Sequence, residues 1–510
     1  MLRCVLAVEV QRAEATFALT FRRQRDLTEE RTAMSRRSRA LSRYTIRDRA
    51  GHDGAATTLD TLPLPGASLP PPCRLAHTRQ GEEGAMPSRH ESPVPSACES
   101  RVNVISRQQL QNCRHWQRAF ASQHKDRRYY EIVEATIHPE FDYWYFAIRN
   151  PQGEIQAIQP FFILDQDILA GIHPNFERLI DAIRARWPRF MFMKTMMVGC
   201  VAGEAHLDDG DDSTRVATAR SLAGAIVEHA RALGARLIVL KEFPNQYRGA
   251  LSCFIQGGFT RIPSMPQTRL NIAYADFEDY MQSALNSATR RKLRKKFKAT
   301  EGDAPIELSV TNDVTPIIDD VYPLYLQVYE RSKLRFERLT KEYFCGLGTA
   351  MPDRVRFFVW RRHAKAVAFG ACMVHGDTLF AEYLGLDYRV ALELHLYHYV
   401  FRDLVRWAIA NRCKWFQSSG LNYDPKLHLR HRLKPVDLYV RHTSPIVNML
   451  MRFALPLLEP TRHDATLKKF PNYFDLWGSD SRASPSSNGA ARSRALATAD
   501  LRKGWGASRN

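Results

Sequence analysis

"AVAFGACMVHGDTLFAEYLGLDY", residues 366–388, decides the fold. Two β-rich runs flank His375-Gly376-Asp377, a turn-forming tripeptide, so the segment reads as a strand hairpin. Upstream, "RVRFFVWRRH" (354–363) adds another strand. Downstream, "LHLYHYVFRDLVRWAIANRC" (394–413) has apolar residues at helical spacing, and "KWFQSSG" (414–420) returns to strand character. "LYVRHT" (438–443) is expected to close the block.

The same order occurs earlier in the chain. "FDYWYFAIRN" (141–150) and "PQGEIQAIQPFFILD" (151–165) form a hairpin around Asn150-Pro151-Gln152-Gly153. "RFMFMKTMMVGCVAGEAHL" (189–207) is a strand running into a Gly-containing loop. "DSTRVATARSLAGAIVEHARALGA" (212–235) is a helix stopped at Gly234, and "RLIVLKEF" (236–243) is a buried strand. "CFIQGGFTRIPSMPQTRLNI" (253–272) ends in a further strand. The chain therefore reads as two copies of one α/β (α+β) fold, 101–275 and 276–475, each a mixed sheet flanked by helices.

The flanks differ in composition. Residues 1–100 hold fifteen Arg, no Lys and Pro-rich runs, and are expected to be disordered. A dozen acidic residues there count against a transit peptide, and translation from Met34 or Met86 is an alternative account of this extension. Residues 476–510 read as a second disordered tail. The net charge is +19, which favours anionic partners and says nothing of fold. Nine scattered Cys with no C-x-x-C suit reduced thiols in a cytoplasm. No apolar run reaches 18 residues; "IVNMLMRFALPLL" (446–458) is too short to span and contains Arg452 and Pro456. No P-loop, dinucleotide fingerprint, G-x-S-x-G or H-E-x-x-H occurs.

A strand hairpin followed by a strand that opens into a loop at a helix N-terminus resembles the GNAT acyltransferases. Two such folds joined through a basic segment resemble the Fem-type peptidyltransferases and their bacterial acetyltransferase relatives. The matching stretches are "GGFTRIPSMPQTRLNI" (257–272), "FEDYMQSALNSATRRKLRKKFKA" (277–299), "YLGLDYR" (383–389) with the helix and strand that follow, and "YDPKLHLRHRLKP" (423–435). The resemblance spans roughly 105–475. It implies acyl-CoA as co-substrate, with no permanently bound cofactor, and an amine acceptor. The sequence departs from the family at the pyrophosphate loop, Q/R-x-x-G-x-G/A, which neither copy carries.

Candidate residues follow. Acyl transfer to an amine needs a base for the amine and an acid for the leaving thiolate. Glu382 and Asp387 lie on or next to the strand that would carry them. Strict alternation would put Glu382 on one face with Phe380 and Leu384. A carboxylate inside so apolar a strand needs a partner, either in the chemistry or as a plain ion pair. The resemblance offers Tyr397 as the thiolate protonator. Gly199 and Gly203 lie in a loop after a strand, able to aim N–H groups at phosphate, although Asp208, Asp209, Asp211 and Asp212 oppose this; Ser213 suits a helix N-cap. Arg290, Arg291 and Arg294 belong to a basic helix, 283–299, whose Leu285, Thr289, Leu293 and Phe297 form one stripe. Seven of the ten residues 289–298 are basic and none acidic, so the helix reads as an anion-binding collar rather than a balanced solvated face. Lys426, Arg430, Arg432 and Lys434 suit phosphate or carboxylate, or a plain basic loop. No metal site is expected.

Three functions are compatible with these residues: N-acyl transfer from acyl-CoA to an amine; aminoacyl transfer from aminoacyl-tRNA to a cell-wall precursor; and non-catalytic binding of nucleic acid or an anionic membrane surface.

Overall fold

The computed structural model describes residues 102–478, apart from 138–140, 151, 168–180, 191, 209, 302–303 and 333–335. The 1–100 extension and the tail beyond Gly478 therefore lie outside the described residues, as does Asp209. The described residues belong to one unit; a second unit, Ala15–Glu99, lies wholly among the others.

The strands are β1 Val102–Ile105, β2 Asp142–Arg149, β3 Ile155–Asp167, β4 Phe192–Val198, β5 Leu237–Pro244, β6 Thr260–Pro263, β7 Gln267–Asn271, β8 Glu307–Thr311, β9 Val355–Arg362, β10 Lys365–His375, β11 Thr378–Leu386, β12 Trp415–Ser418, β13 Arg432–Lys434 and β14 Val436–His442. The helices used below are α1 Arg127–Thr136, α2 Asp212–Ala232, α3 Phe277–Ala284, α4 Ser287–Glu301, α5 Ile318–Arg331, α6 Lys341–Ala350, α7 Leu396–Ala410, α8 Tyr423–His428 and α9 Pro445–Leu458.

Two seven-stranded mixed sheets result, ordered β1-β2-β3-β4-β5-β14-β6 and β13-β7-β12-β11-β10-β9-β8. Read from β1 and from β8, they are the same sheet. Each is antiparallel except for one parallel pair, β4 with β5 and β11 with β12. The fold is two tandem GNAT-like units, as the order of elements predicts.

One strand assignment is corrected. "LYVRHT" does not close the second sheet; as β14 it pairs with β5 and β6 in the first. Reciprocally β7, the last strand of the first half, pairs with β12 and β13 in the second. The two crossings pass through Ser264-Met265-Pro266 and through Pro435. Proline has no N–H to give a ladder, so it marks where a strand leaves one sheet for the other. The crossings touch: Ser264 N–H donates to Val436 O (2.8 Å) and Asn245 N–H to Pro435 O (3.1 Å).

Strand alternation then sorts side chains into layers. Phe161 and Val198 face the α2 side, while Phe162 and Met197 face inward. In the second sheet Phe358 faces α3, α4 and α7, while Phe357 and Phe369 face inward. Between the sheets, α1, α5 and α6 contribute Tyr129, Tyr325, Tyr343 and Phe344 to one shared core. The α2 N-cap is also corrected: Asp211, not Ser213, accepts from Thr214 N–H (2.7 Å), and Ser213 donates to Asp211.

Candidate active site

Strands β11 and β12 run parallel from Thr378 opposite Trp415 to Ala381 opposite Ser418, and their pairing stops there. At the same point the β10–β11 register shifts: Ala371 faces Tyr383 and Cys372 faces Ala381. Glu382 is the extra residue of a β-bulge. This corrects the simple alternation, because Phe380 and Tyr383 both pack on the inter-sheet core while Ala381 and Leu384 pack on the other. A bulge bends its strand and re-aims a side chain, and here it turns Glu382 into a cavity.

The cavity has a volume of ≈ 340 Å³. Its walls come from 380–384 of β11, from Ser418–Leu421 after β12, from Tyr325, Val328 and Tyr329 of α5, from Gly203, Glu204 and Glu242 of the first half, and from Met265 and Val436 at the crossings. Helix α5 reaches β11 because Gly385 has no side chain; a Cβ there would sit 2.7 Å from Tyr325 N. Three lining residues hold left-handed backbone, Gly203 (φ +92), Glu242 (φ 56) and Leu421 (φ 71). Such conformations are disfavoured outside glycine and concentrate at functional sites.

A buried polar network stands behind Glu382. Lys125 Nζ donates to its Oε2 (3.0 Å), and His124 Nε2 lies 3.2 Å from Oε1. The His124 ring stacks on Phe380 at 3.9 Å between centroids. Glu204 lies 3.5 Å from His206 Nε2, 3.7 Å from Lys434 Nζ and 3.9 Å from His124 Nε2. Tyr247 Oη meets His206 Nδ1 at 3.2 Å, and Lys434 Nζ donates to Gln417 Oε1 at 3.0 Å. Glycine suits position 203, because its φ of +92 is left-handed and a Cβ there would displace the Lys125 amine, 2.1 Å away.

These contacts set the charges. Burial alone would push the Glu382 carboxyl up, but Lys125 and then His124 bring it down to about 2. Burial lowers His124 to about 4 against the pull of Glu382, so the imidazole is neutral near pH 7. Glu204 is held well below the usual range; its burial is outweighed by Lys434 and His206. The ligand atoms of His124, Glu204 and His206 lie within 4.8 Å of one another, a two-histidine, one-carboxylate set. Lys125 and Lys434 already neutralise the carboxylates here, so the set suits proton handling better than a divalent cation.

Of the residues singled out from sequence, Glu382 and Gly203 meet in this cavity; the others lie elsewhere. Asp387 is tied to Arg389 (2.7 and 2.8 Å) beyond the end of β11. Tyr397 is a half-buried phenol, raised by desolvation and hydrogen-bonded to Asn422, the neighbour of Leu421. Gly199 makes a tight turn, with a notional Cβ 2.5 Å from Ala205 Cβ, and its N–H already donates to Pro160 O (2.9 Å). Arg290 Nη1 donates to Leu285 O (2.6 Å) and Arg430 Nε to Ala284 O (3.1 Å), so both cap the C-terminus of α3. Arg294 pairs with Glu278, and Arg291 is exposed. Lys426 points inward: its amine donates to Ser419 O (2.6 Å) and Leu421 O (2.9 Å), fixing the cavity wall, and burial brings it down to about 7. Sequence reasoning missed His124, Lys125, His206 and Glu242, which sit in no motif and converge only through the fold; Lys434, one of the cations of 423–435 read as suited to phosphate or carboxylate, lies against the Glu204 carboxylate.

Residues 217–428 match the FemAB-like family model, described as peptidoglycan biosynthesis/recognition. The match covers less than half of the chain. Among solved structures, FemX is similar at 10% identity over 61% of this chain and 90% of its own, with a TM-score of 0.38. A tandem GNAT protein from the clavulanic acid biosynthesis pathway is similar at 12% identity, over 62% and 87%, with a TM-score of 0.34. The C-terminal domain of a lysylphosphatidylglycerol synthetase from Agrobacterium fabrum is similar at 14% identity, over 53% and 85%, with a TM-score of 0.36. No curated protein matches the chain.

Proposed function

We propose that this protein is an N-acyltransferase that acylates an amine held beside Glu382. One observation carries the reading: among the described residues that line the cavity, the only charged side chains are four carboxylates, Glu204, Glu242, Glu337 and Glu382, three of which are paired from behind by Lys434, Lys241 and Lys125. Carboxylate oxygens that face the cavity can still accept hydrogen bonds from an amine and hold it in one orientation. Glu382, kept ionised by Lys125, accepts a hydrogen bond from the amine and orients it, and the ammonium's extra proton is lost to solvent before attack. The freed amine attacks the thioester carbonyl. The tetrahedral oxyanion is met by N–H groups of β11 beyond Ala381, where β12 no longer pairs. The C–S bond then breaks, and the proton that the attacking nitrogen sheds passes to the departing thiolate, leaving an amide and a thiol. Acyl-CoA is the proposed donor; its phosphates would remain outside a carboxylate-lined cavity. Asp387 and Tyr397 do not line the cavity, and the scheme does not use them.

A second reading, aminoacyl transfer from tRNA to a cell-wall precursor, has its own support. Arg291, Lys292, Lys295 and Lys298 are exposed on α4 and suit a polyanion. Thiol release from acetyl-CoA and longer acyl-CoAs, measured against a panel of primary amines, tests the first reading. Glu382→Gln should cut the rate at least about a hundredfold. No thiol release with any amine, together with transfer from aminoacyl-tRNA, would replace the first reading by the second.

A further inference from the structure

Helix α9 is apolar on both sides. Its inner side packs against the first sheet: Leu455 is buried, Met451 packs on the inter-sheet core, and Asn448 donates to Gly258 O (2.9 Å) and accepts from His442 N–H (3.0 Å). Its outer side should be polar if it faced only water. Instead Ile446, Met449, Leu450, Phe453 and Leu457 follow helical spacing and are 54–72% exposed. Phe474 is 81% exposed. Its segment is tied to the helix end by Trp477, whose Nε1 donates to Glu459 (3.2 Å) and whose ring lies under Arg462 (5.4 Å). Of the thirteen exposed large apolar side chains among the described residues, seven lie on 446–474, so they form a patch rather than a scatter.

We propose that α9 is an interfacial anchor that seats the protein on an anionic membrane. Fourteen residues span roughly 21 Å, less than a bilayer core of about 30 Å. No described helix is long and apolar enough to cross a membrane. The helix therefore lies in the interface plane, its outer stripe among the acyl chains. Charge selects the occupant. Over 443–478 the exposed basic residues are Arg452, Lys468, Lys469 and Arg462, the last paired with buried Glu459 (3.0 Å), against one exposed acid, Asp475; Asp464 is buried. A second copy would bring this basic collar against itself, whereas anionic headgroups compensate it. The inference stands apart from the reaction proposed above.

Flotation of the full chain tests it, using vesicles of phosphatidylcholine alone or with about a third phosphatidylglycerol. Binding should need the anionic lipid and weaken at high salt. Changing Ile446, Leu450, Phe453 and Leu457 together to Ser should cut binding at least about tenfold, while the melting temperature holds because none of these side chains is buried. Absence of vesicle binding, or binding unchanged in the variant, would overturn the proposal. So would a wild-type dimer that the variant dissolves, which would assign the stripe to a second copy.

Discussion

Glu382 gains its partners from a bulge that no pattern of alternation announces. The sequence marks it as a carboxylate in an apolar strand that needs a partner, and this much was legible. Lys125 and His124 were not, because they lie 257 and 258 residues away in an unremarkable segment. Their pairing makes two predictions. Glu382→Gln should destabilise the protein by about 3–5 kcal/mol, because it leaves Lys125 buried without its counter-charge. Adding Lys125→Met should recover most of that stability in a denaturant titration without recovering turnover. Recovery of turnover would reduce the carboxylate to a structural ion pair. The second prediction is a pH dependence. Below about 6.5 the unfolded chain protonates His124, while the folded chain resists until about 4. Stability should therefore fall as pH drops through that window, by on the order of 3 kcal/mol. Glu382, held at about 2, adds a loss that begins as pH falls through its ordinary value of 4.5. Both act in the same direction. His124→Gln should flatten the melting temperature between pH 6.5 and 4.5 and leave the lower limb; an unchanged profile would remove His124 as its source.

Helix α4 shows what spacing can and cannot reveal. Its inward stripe was legible in part: Leu293 and Phe297 are buried, but the helix begins at Ser287 rather than 283, so Leu285 belongs to the end of α3, and Thr289 is only half-buried. The fate of its cations was not, since a guanidinium that caps a carbonyl and one that waits for an anion look alike in sequence. Arg290 caps α3 and Arg294 pairs with Glu278, while Lys296 Nζ lies 2.9 Å from His398 Nε2. Arg291, Lys292, Lys295 and Lys298 remain exposed. Changing these four to Gln should alter stability by no more than about 0.5 kcal/mol each. If tRNA binds, its retention should weaken and its salt dependence should flatten; tRNA binding that is unaltered would rule out α4 as its contact. Helix α5 carries a second test. Gly385→Ala would push a Cβ against the backbone of Leu324 and Tyr325, at 2.8 and 2.7 Å, where no flexible side chain can give way. Overpacking of this kind costs about 1–3 kcal/mol. It should also loosen the α5 wall of the cavity, so ligand affinity should fall along with the melting temperature.

The repeat was legible as an order of elements, because hairpin, strand, helix and strand each carry local periodicity. The exchange of β7 and β14 was not. Both are short strands whose alternation suits either sheet, and strand partners are chosen by contacts far along the chain. The only trace was Pro266 and Pro435, two residues that also suit an ordinary loop. Yet the exchange governs the whole molecule. Each half donates the penultimate strand of the other's sheet, the crossings form part of the cavity wall, and α1, α5 and α6 fill a core shared by both sheets. A fragment 101–275 would keep β5 and β6 but lose β14, which pairs with both. A fragment 276–475 would keep β12 and β13 but lose β7 between them. Each would expose two unpaired strand edges and half of an apolar core, a combination that favours aggregation. Expressed apart, both fragments should be insoluble or melt without a cooperative transition. Expressed together, they should co-purify as a complex that melts once, because strand pairing can be restored between chains as it is within one. The full chain should likewise show a single transition in which fluorescence and circular dichroism coincide. Soluble, cooperatively melting fragments, or a full chain that unfolds in two separate steps, would mean that the halves fold without their exchanged strands.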